Sequence, residues 1–206
     1  FHKRYRPTLA KKHITQLHRM EGTSPVTPQP DNSHLASGIE ELSSVAAGFY
    51  EALMCEKPCD MNAARPMLET LSSNPIPKKA AASIEGAITE KEVRTSIRSM
   101  AKGKACGPDG LHAEFYRTHE NLLLDFLTHT FNEMHAEGSL TDSMRRGNII
   151  LLYKKKDPYD IRNYRPITLL NADYKVMTKI LVARLKLVVA DFVSRPQTGF
   201  VPQRQD

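Results

Sequence analysis

Lys154, Lys155 and Lys156, with Arg165 a short polar loop further on, are the residues of this chain best suited to chemistry. Each stands beside an apolar run, Asn148 to Tyr153 on one side and Tyr164 to Leu169 on the other. A triphosphate carries several negative charges that must be held still for in-line attack. Lysine offers a mobile point charge and arginine a planar fork, and both suit phosphate oxygens. Positioning and charge neutralisation are most of what a protein contributes to phosphoryl or nucleotidyl transfer. Read on charge alone, the same residues are an exposed basic turn or a nuclear-import patch. Asp157 and Asp160 sit inside the loop, where ion pairing with the lysines is expected.

A second loop, Lys102 to Gly110, is rich in glycine and lysine but lacks the spacing and terminal Lys-Ser/Thr of a P-loop. Gly107-Pro108-Asp109-Gly110 by itself is a turn. Cys55, Cys59 and Cys106 form no disulfide framework, which suits a reducing compartment. No Cys or His pair completes a zinc site with Cys55 and Cys59, so no metal is expected in this chain.

The net charge of +6 over 206 residues is unevenly placed. Lys3, Arg4, Arg6, Lys11, Lys12 and Arg19 precede the first acid, and without them the rest is neutral. The stretch from Arg145 to Arg165 is again basic. Two such patches suit a polyanionic partner. No apolar run reaches the roughly 18 residues of a membrane span, and the basic start shows no secretory signal. The chain opens on Phe1 inside a helix-like pattern, so the protein is expected to begin upstream.

These groups need elements to hold them. His2 to Met20 reads as a basic helix anchored by Leu9, Ile14 and Leu17, and Gly22 to Ser37 as a proline-rich linker. Ile39, Leu42, Ala46, Phe49 and Leu53 form one stripe of a helix over Gly38 to Met54. A short helix follows around Asn62 to Leu71. Thr89 and Glu92 form a capping box opening a helix with Val93, Ile97 and Met100 on one face. Helices near His112 to Arg117 and from Asn121 to Glu137 come next, the latter stopped by Gly138. The two apolar runs around the lysines read as a β-hairpin. Asn171 then caps a helix from Asp173 to Val193. The expected fold is mainly α with a small antiparallel β-hairpin (α+β). Its expected parts are a basic helix over 1–22, linker and connector helices over 23–88, and a third region over 89–206.

The motifs together carry a resemblance. Lys104-Ala105-Cys106-Gly107-Pro108-Asp109-Gly110-Leu111, followed by Glu114-Phe115-Tyr116, is similar to the signature opening the reverse transcriptase domain of non-LTR (LINE-type) retrotransposons, with Cys106 where the family has Pro. Ile149 to Lys156 resembles the family's strand and lysine loop. Asn163-Tyr164-Arg165-Pro166-Ile167-Thr168-Leu169-Leu170-Asn171 is close to the family wording throughout. Asp173 to Leu185 resembles the helix that follows. Gln197-Thr198-Gly199-Phe200-Val201-Pro202 and Arg204 match the template-facing segment, with Gln203 where the family has Gly. The region before Lys104 is similar, more loosely, to the connector between endonuclease and polymerase.

The resemblance implies connector plus fingers of a right-hand polymerase, with the palm sheet absent and the 89–206 region truncated before the palm motifs. It implies that Lys154, Lys155 and Lys156, Lys155 above all, and Arg165 contact the dNTP triphosphate. Gln197, Gly199, Phe200 and Arg204 would line the template, and Lys104, Gly107, Pro108, Asp109 and Gly110 form the family's signature loop. Lys3, Arg4, Arg6, Lys11, Lys12 and Arg19 would hold element RNA, a role their charge also suits. The implied partners are element RNA, target DNA and dNTP, with an upstream endonuclease and a downstream palm and thumb in the parent, and no membrane. The implied place is intracellular, and nuclear when acting on DNA. Two-metal polymerisation needs clustered carboxylates, and this sequence has no adjacent Asp pair. No catalytic residue or bound cofactor is therefore expected here, with Mg2+ serving the full-length polymerase. The alternative is a non-catalytic nucleic-acid-binding remnant or domesticated protein.

Overall fold

The computed structural model describes residues 14–27, 29, 31–72, 77–193, 197 and 201. The fold is mainly α with small two-stranded antiparallel sheets. Two compact units divide the chain: Phe1–Pro58 with Leu151–Ile167, and Cys59–Ile150 with Thr168–Asp206.

In the first unit, β1 (Gln16–His18) pairs antiparallel with β4 (Leu35–Ser37), placing Leu17 opposite Ala36. Both side chains are fully enclosed. β2 (Met20–Glu21) and β3 (Ser24–Pro25) form a tight hairpin, whose first loop residue, Gly22, adopts φ 60°. That left-handed angle is open to glycine at little cost. Helix α1 (Ile39–Met54) sets Phe49 and Tyr50 against Leu17 and Ile161, with Leu42, Val45 and Ala46 alongside. The loop-side ends of β5 (Gly147–Tyr153) and β6 (Tyr164–Leu170) belong to this unit, and Leu151 and Tyr164 pack on the same core.

The second unit is helical. It contains α2 (Met61–Ser72), α3 (Lys78–Ile84), α4 (Glu90–Ser99), α5 (Ala113–Thr118), α6 (Glu120–Glu137), α7 (Ala172–Leu185) and the short α8 (Val189–Phe192). α4 packs against both α6 and α7. Val93 and Ile97 of α4, Phe131 of α6, and Val176 and Ile180 of α7 fill the centre, none of them more than 1% exposed. Burying a large apolar side chain contributes about 1.5–3 kcal/mol, so this stack dominates the unit. The capping box at Thr89 is present in full. Arg184 at the end of α7 grips Glu92 at 2.6 Å and donates to the carbonyls of Ile84, Gly86 and Ala87. Its guanidinium, chiefly, holds the Glu92 carboxyl down at about 2. Glu120, mostly enclosed, receives Arg94 and Arg98.

Three expectations change. The basic helix over His2 to Met20 gives way, in its described part, to β1 and β2. Pairing with β4, and a hydrogen bond from the His18 amide N–H to the Tyr159 carbonyl, hold this segment extended with Leu17 buried. The Gly22 to Ser37 linker contains β3 and β4, with Pro25 tolerated at an edge. The last helix breaks after Leu185, where the chain tightens into three-residue hydrogen bonds that bury Val188 before α8 begins.

Candidate functional site

The lysine loop is a closed, internally bonded structure. The Lys154 amide donates to the Asn163 carbonyl at 2.9 Å, joining the ends of β5 and β6. Side chains alternate across a strand. Tyr153 and Tyr164, with ring centroids 5.5 Å apart, share the face that Leu151 turns to the core. Lys154 and Arg165 therefore share the opposite face. Lys155 and Lys156 lie past the strand end, and all four cations are exposed. Lys156 adopts φ 74°, an uncommon angle for a residue with a Cβ. Its carbonyl accepts the Tyr153 hydroxyl.

The expected pairing of Asp157 and Asp160 with the lysines does not occur. Asp157 accepts the Tyr159 amide and His18 Nε2, each at 2.9 Å. The amide first, then His18, keeps its carboxyl below the ordinary value. Asp160 accepts the Arg162 amide and takes the Arg162 guanidinium in a two-toothed grip at 2.7 to 3.0 Å, which lowers its carboxyl against the opposing effect of burial. The Asn163 amide group and the Tyr164 hydroxyl donate to the carbonyls of Asp157 and Pro158. Ile161 seals the loop from below, fully buried. The loop's acids are thus spent on shaping it. Among the described residues no acid pairs with Lys154, Lys155, Lys156 or Arg165, although Arg145 and Arg162 are paired.

The signature loop has a structural role in the second unit. Gly107 lies against the start of α7: an added Cβ would stand 2.2 Å from Asn171 Oδ1, 2.4 Å from the Asn171 amide nitrogen and 2.5 Å from the Leu170 carbonyl carbon. Asn171, 1% exposed, accepts the Asp109 amide and donates to the Ser143 carbonyl and hydroxyl. It occupies the N-cap position of α7, but its side chain makes no capping bond. Asp109 accepts the Leu111 amide, and Gly110 turns at φ 74°. Pro108, between Gly107 and Asp109, is exposed, and Lys104 is exposed with its carbonyl against His112 Nδ1. Burial, and secondarily the charges of Asp173 and Asp109, raise the Tyr116 phenol, while burial raises the Asp173 carboxyl.

The other sequence-derived residues are dispersed. Arg19 pairs with Glu41 at 3.2 Å and donates to the Ser33 carbonyl, so it is engaged locally. Lys3, Arg4, Arg6, Lys11, Lys12, Gly199, Phe200 and Arg204 lie outside the described residues. Gln197 is exposed. No group of three or more His, Cys, Asp or Glu able to hold a metal ion occurs among the described residues. Among them, too, no helix is long and apolar enough to cross a membrane. His18, Arg162 and Arg184 were missed by sequence reasoning. Only the Asp160–Arg162 spacing offered a local signal, since the partners of the other two are distant in the chain.

A mainly helical chain with a basic hairpin and this signature loop falls in a definable class. No family model matches it. It is 30% identical over 194 residues to the Transposon TX1 uncharacterized 149 kDa protein of Xenopus laevis, covering 94% of this chain and 14% of that protein. It is 32% identical over 100 residues to the RNA-directed DNA polymerase from mobile element jockey of Drosophila melanogaster, covering 48% of this chain and 11% of that protein. The chain is a reverse-transcriptase-related protein, homologous to those of non-LTR, LINE-type retrotransposons. It spans only a small part of the length of these relatives.

Proposed function

We propose that this chain is the connector and fingers part of a retrotransposon RNA-directed DNA polymerase, and that its hairpin holds the incoming dNTP. One observation carries the reading. Lys154, Lys155, Lys156 and Arg165 stand on a loop fixed by Asp157 and Asp160, with no acid among the described residues competing for them. A preformed set of free cations meets a triphosphate with little reorganisation. Gln197, Gly199, Phe200 and Arg204 would face the template, and the basic N-terminal residues would hold element RNA, in the nucleus when DNA is the target. The metal-binding aspartates would come from elsewhere in the parent, so the chain alone would not extend a primer.

Equilibrium binding of a labelled dNTP to the full chain tests the hairpin. Lys155→Ala or Arg165→Ala removes a charged contact and is expected to weaken binding about 10- to 100-fold. Equal affinity in wild type and both variants would defeat the assignment. Mg2+-dependent primer extension by the purified chain would defeat the claim that it cannot polymerise alone.

A further inference from the structure

His18, at the end of β1, touches the lysine loop twice, although Asp157 lies 139 residues further on. Its backbone N–H donates to the Tyr159 carbonyl at 2.8 Å, and its ring Nε2 lies 2.9 Å from Asp157 Oδ2. An ionised carboxylate only accepts, so Nε2 carries the hydrogen. Neighbouring rings hold the imidazole in place. It stacks on His34 with centroids 5.5 Å apart and meets the edge of Tyr159 at 6.3 Å. His34, only 8% exposed, is itself fixed by the Gln29 amide, which donates to its Nδ1. The other nitrogen of His18, Nδ1, is enclosed and has no hydrogen-bond partner among the described residues. An enclosed polar atom left unpaired costs stability. Phenylalanine at this position would keep the ring packing without that cost. Asp157 would lose little, because its side chain is 47% exposed and water can replace the lost donor. Packing therefore does not account for a histidine here; the bond to Asp157 does.

We propose that His18 is a positioning residue for triphosphate capture: the bond from its ring N–H to Asp157 sets the turn that follows Lys156, and so the direction in which Lys154, Lys155 and Lys156 present their charges. This inference rests on the reading of the hairpin as the holder of a triphosphate. Asp157 directly follows Lys156, whose φ of 74° is kept only where the surroundings enforce it. The Tyr153 hydroxyl holds the Lys156 carbonyl on one side of that angle. On the other side Asp157 is held between the Tyr159 amide on Oδ1 and His18 on Oδ2. Without His18 the carboxylate keeps one anchor of the two. The lysines then spread over more orientations, and gathering them becomes a cost of binding.

The probe is inorganic tripolyphosphate, which carries the charges of a dNTP without its base. Its affinity is measured by calorimetry for the full chain, for His18→Phe, and for His18→Gln, whose side-chain amide can return a donor to Asp157. His18→Phe is expected to weaken binding about 10-fold. It should leave the Tm within about 2 °C of the wild type and speed amide exchange at Tyr159. His18→Gln is expected to restore most of the affinity, which a purely packing role would not allow. Wild-type binding that Lys155→Ala weakens and His18→Phe leaves intact would overturn this inference while the hairpin reading stands. Absence of binding by the wild type would overturn the hairpin reading and this inference with it. Equal losses of affinity in His18→Phe and His18→Gln, or a Tm that falls in step with affinity, would make His18 a structural residue and end its positioning role.

Discussion

The two loops that stand out in the sequence use their polar residues in opposite ways. In the Lys102 to Gly110 loop, glycine and aspartate serve packing: Gly107 makes room for Asn171, and Asn171 ties the loop to Ser143. In the hairpin loop, aspartates and tyrosines bond to the backbone, to His18 and to Arg162, and the lysines are left over. A residue's charge therefore says little about its job until its partners are known. The first loop should respond to substitution with lost stability, and the second with lost binding.

The sharpest break in that contrast is Gly107→Ala. The new methyl meets backbone and a fixed amide rather than a flexible tip, so a loss of about 2–4 kcal/mol is expected in urea denaturation. Gly110→Ala has open space around it and only the left-handed angle against it, so about 1 kcal/mol is expected. Similar losses at both positions would mean that close packing is not what the glycine at 107 provides.

Next in size is Arg184→Ala, which leaves Glu92 with its Thr89 donors alone and takes a donor from three carbonyls. About 2–3 kcal/mol is expected by the same measurement. The pH dependence follows from the same pair. Glu92 has a folded value of about 2 against an ordinary 4.5, so its contribution is complete above about 4.5 and disappears as pH falls towards about 2. Acid titrations of wild type and Arg184→Ala should converge across that window. Curves that stay parallel would dismiss the ion pair as a source of acid sensitivity.

Smaller effects belong to the hairpin. Asp157→Asn removes a carboxylate that accepts from the Tyr159 amide and His18, and should speed hydrogen exchange at Tyr159 while leaving the second unit's exchange unchanged. Lys155→Ala should shift stability by less than about 0.5 kcal/mol, as for an exposed side chain with no partner among the described residues. A larger shift would place Lys155 in the loop's framework and blur the contrast between the loops.

Much of the second unit was legible in the sequence because its cues are local. The Thr89–Glu92 capping box, the Gly138 stop and the stripe of Val93, Ile97 and Met100 each lie within a few residues. The N-terminal strands were not legible, since Gln16–His18 is made a strand by partners at Leu35–Ser37 and Tyr159. The hairpin was read correctly as an element, but its electrostatics were not. Asp157 finds His18, a residue 139 positions away, which no local pattern reveals.

Lys156 carries a consequence for how such a chain responds to selection. A side chain at φ 74° holds the backbone where glycine or asparagine would rest more easily. A library randomised at this position and sorted only for resistance to proteolysis should fill with those two residues. Sorted for triphosphate capture, it should return lysine or arginine. Position 156 is where the two screens should disagree, and the disagreement would mark how much conformational ease the hairpin gives up for one more positive charge.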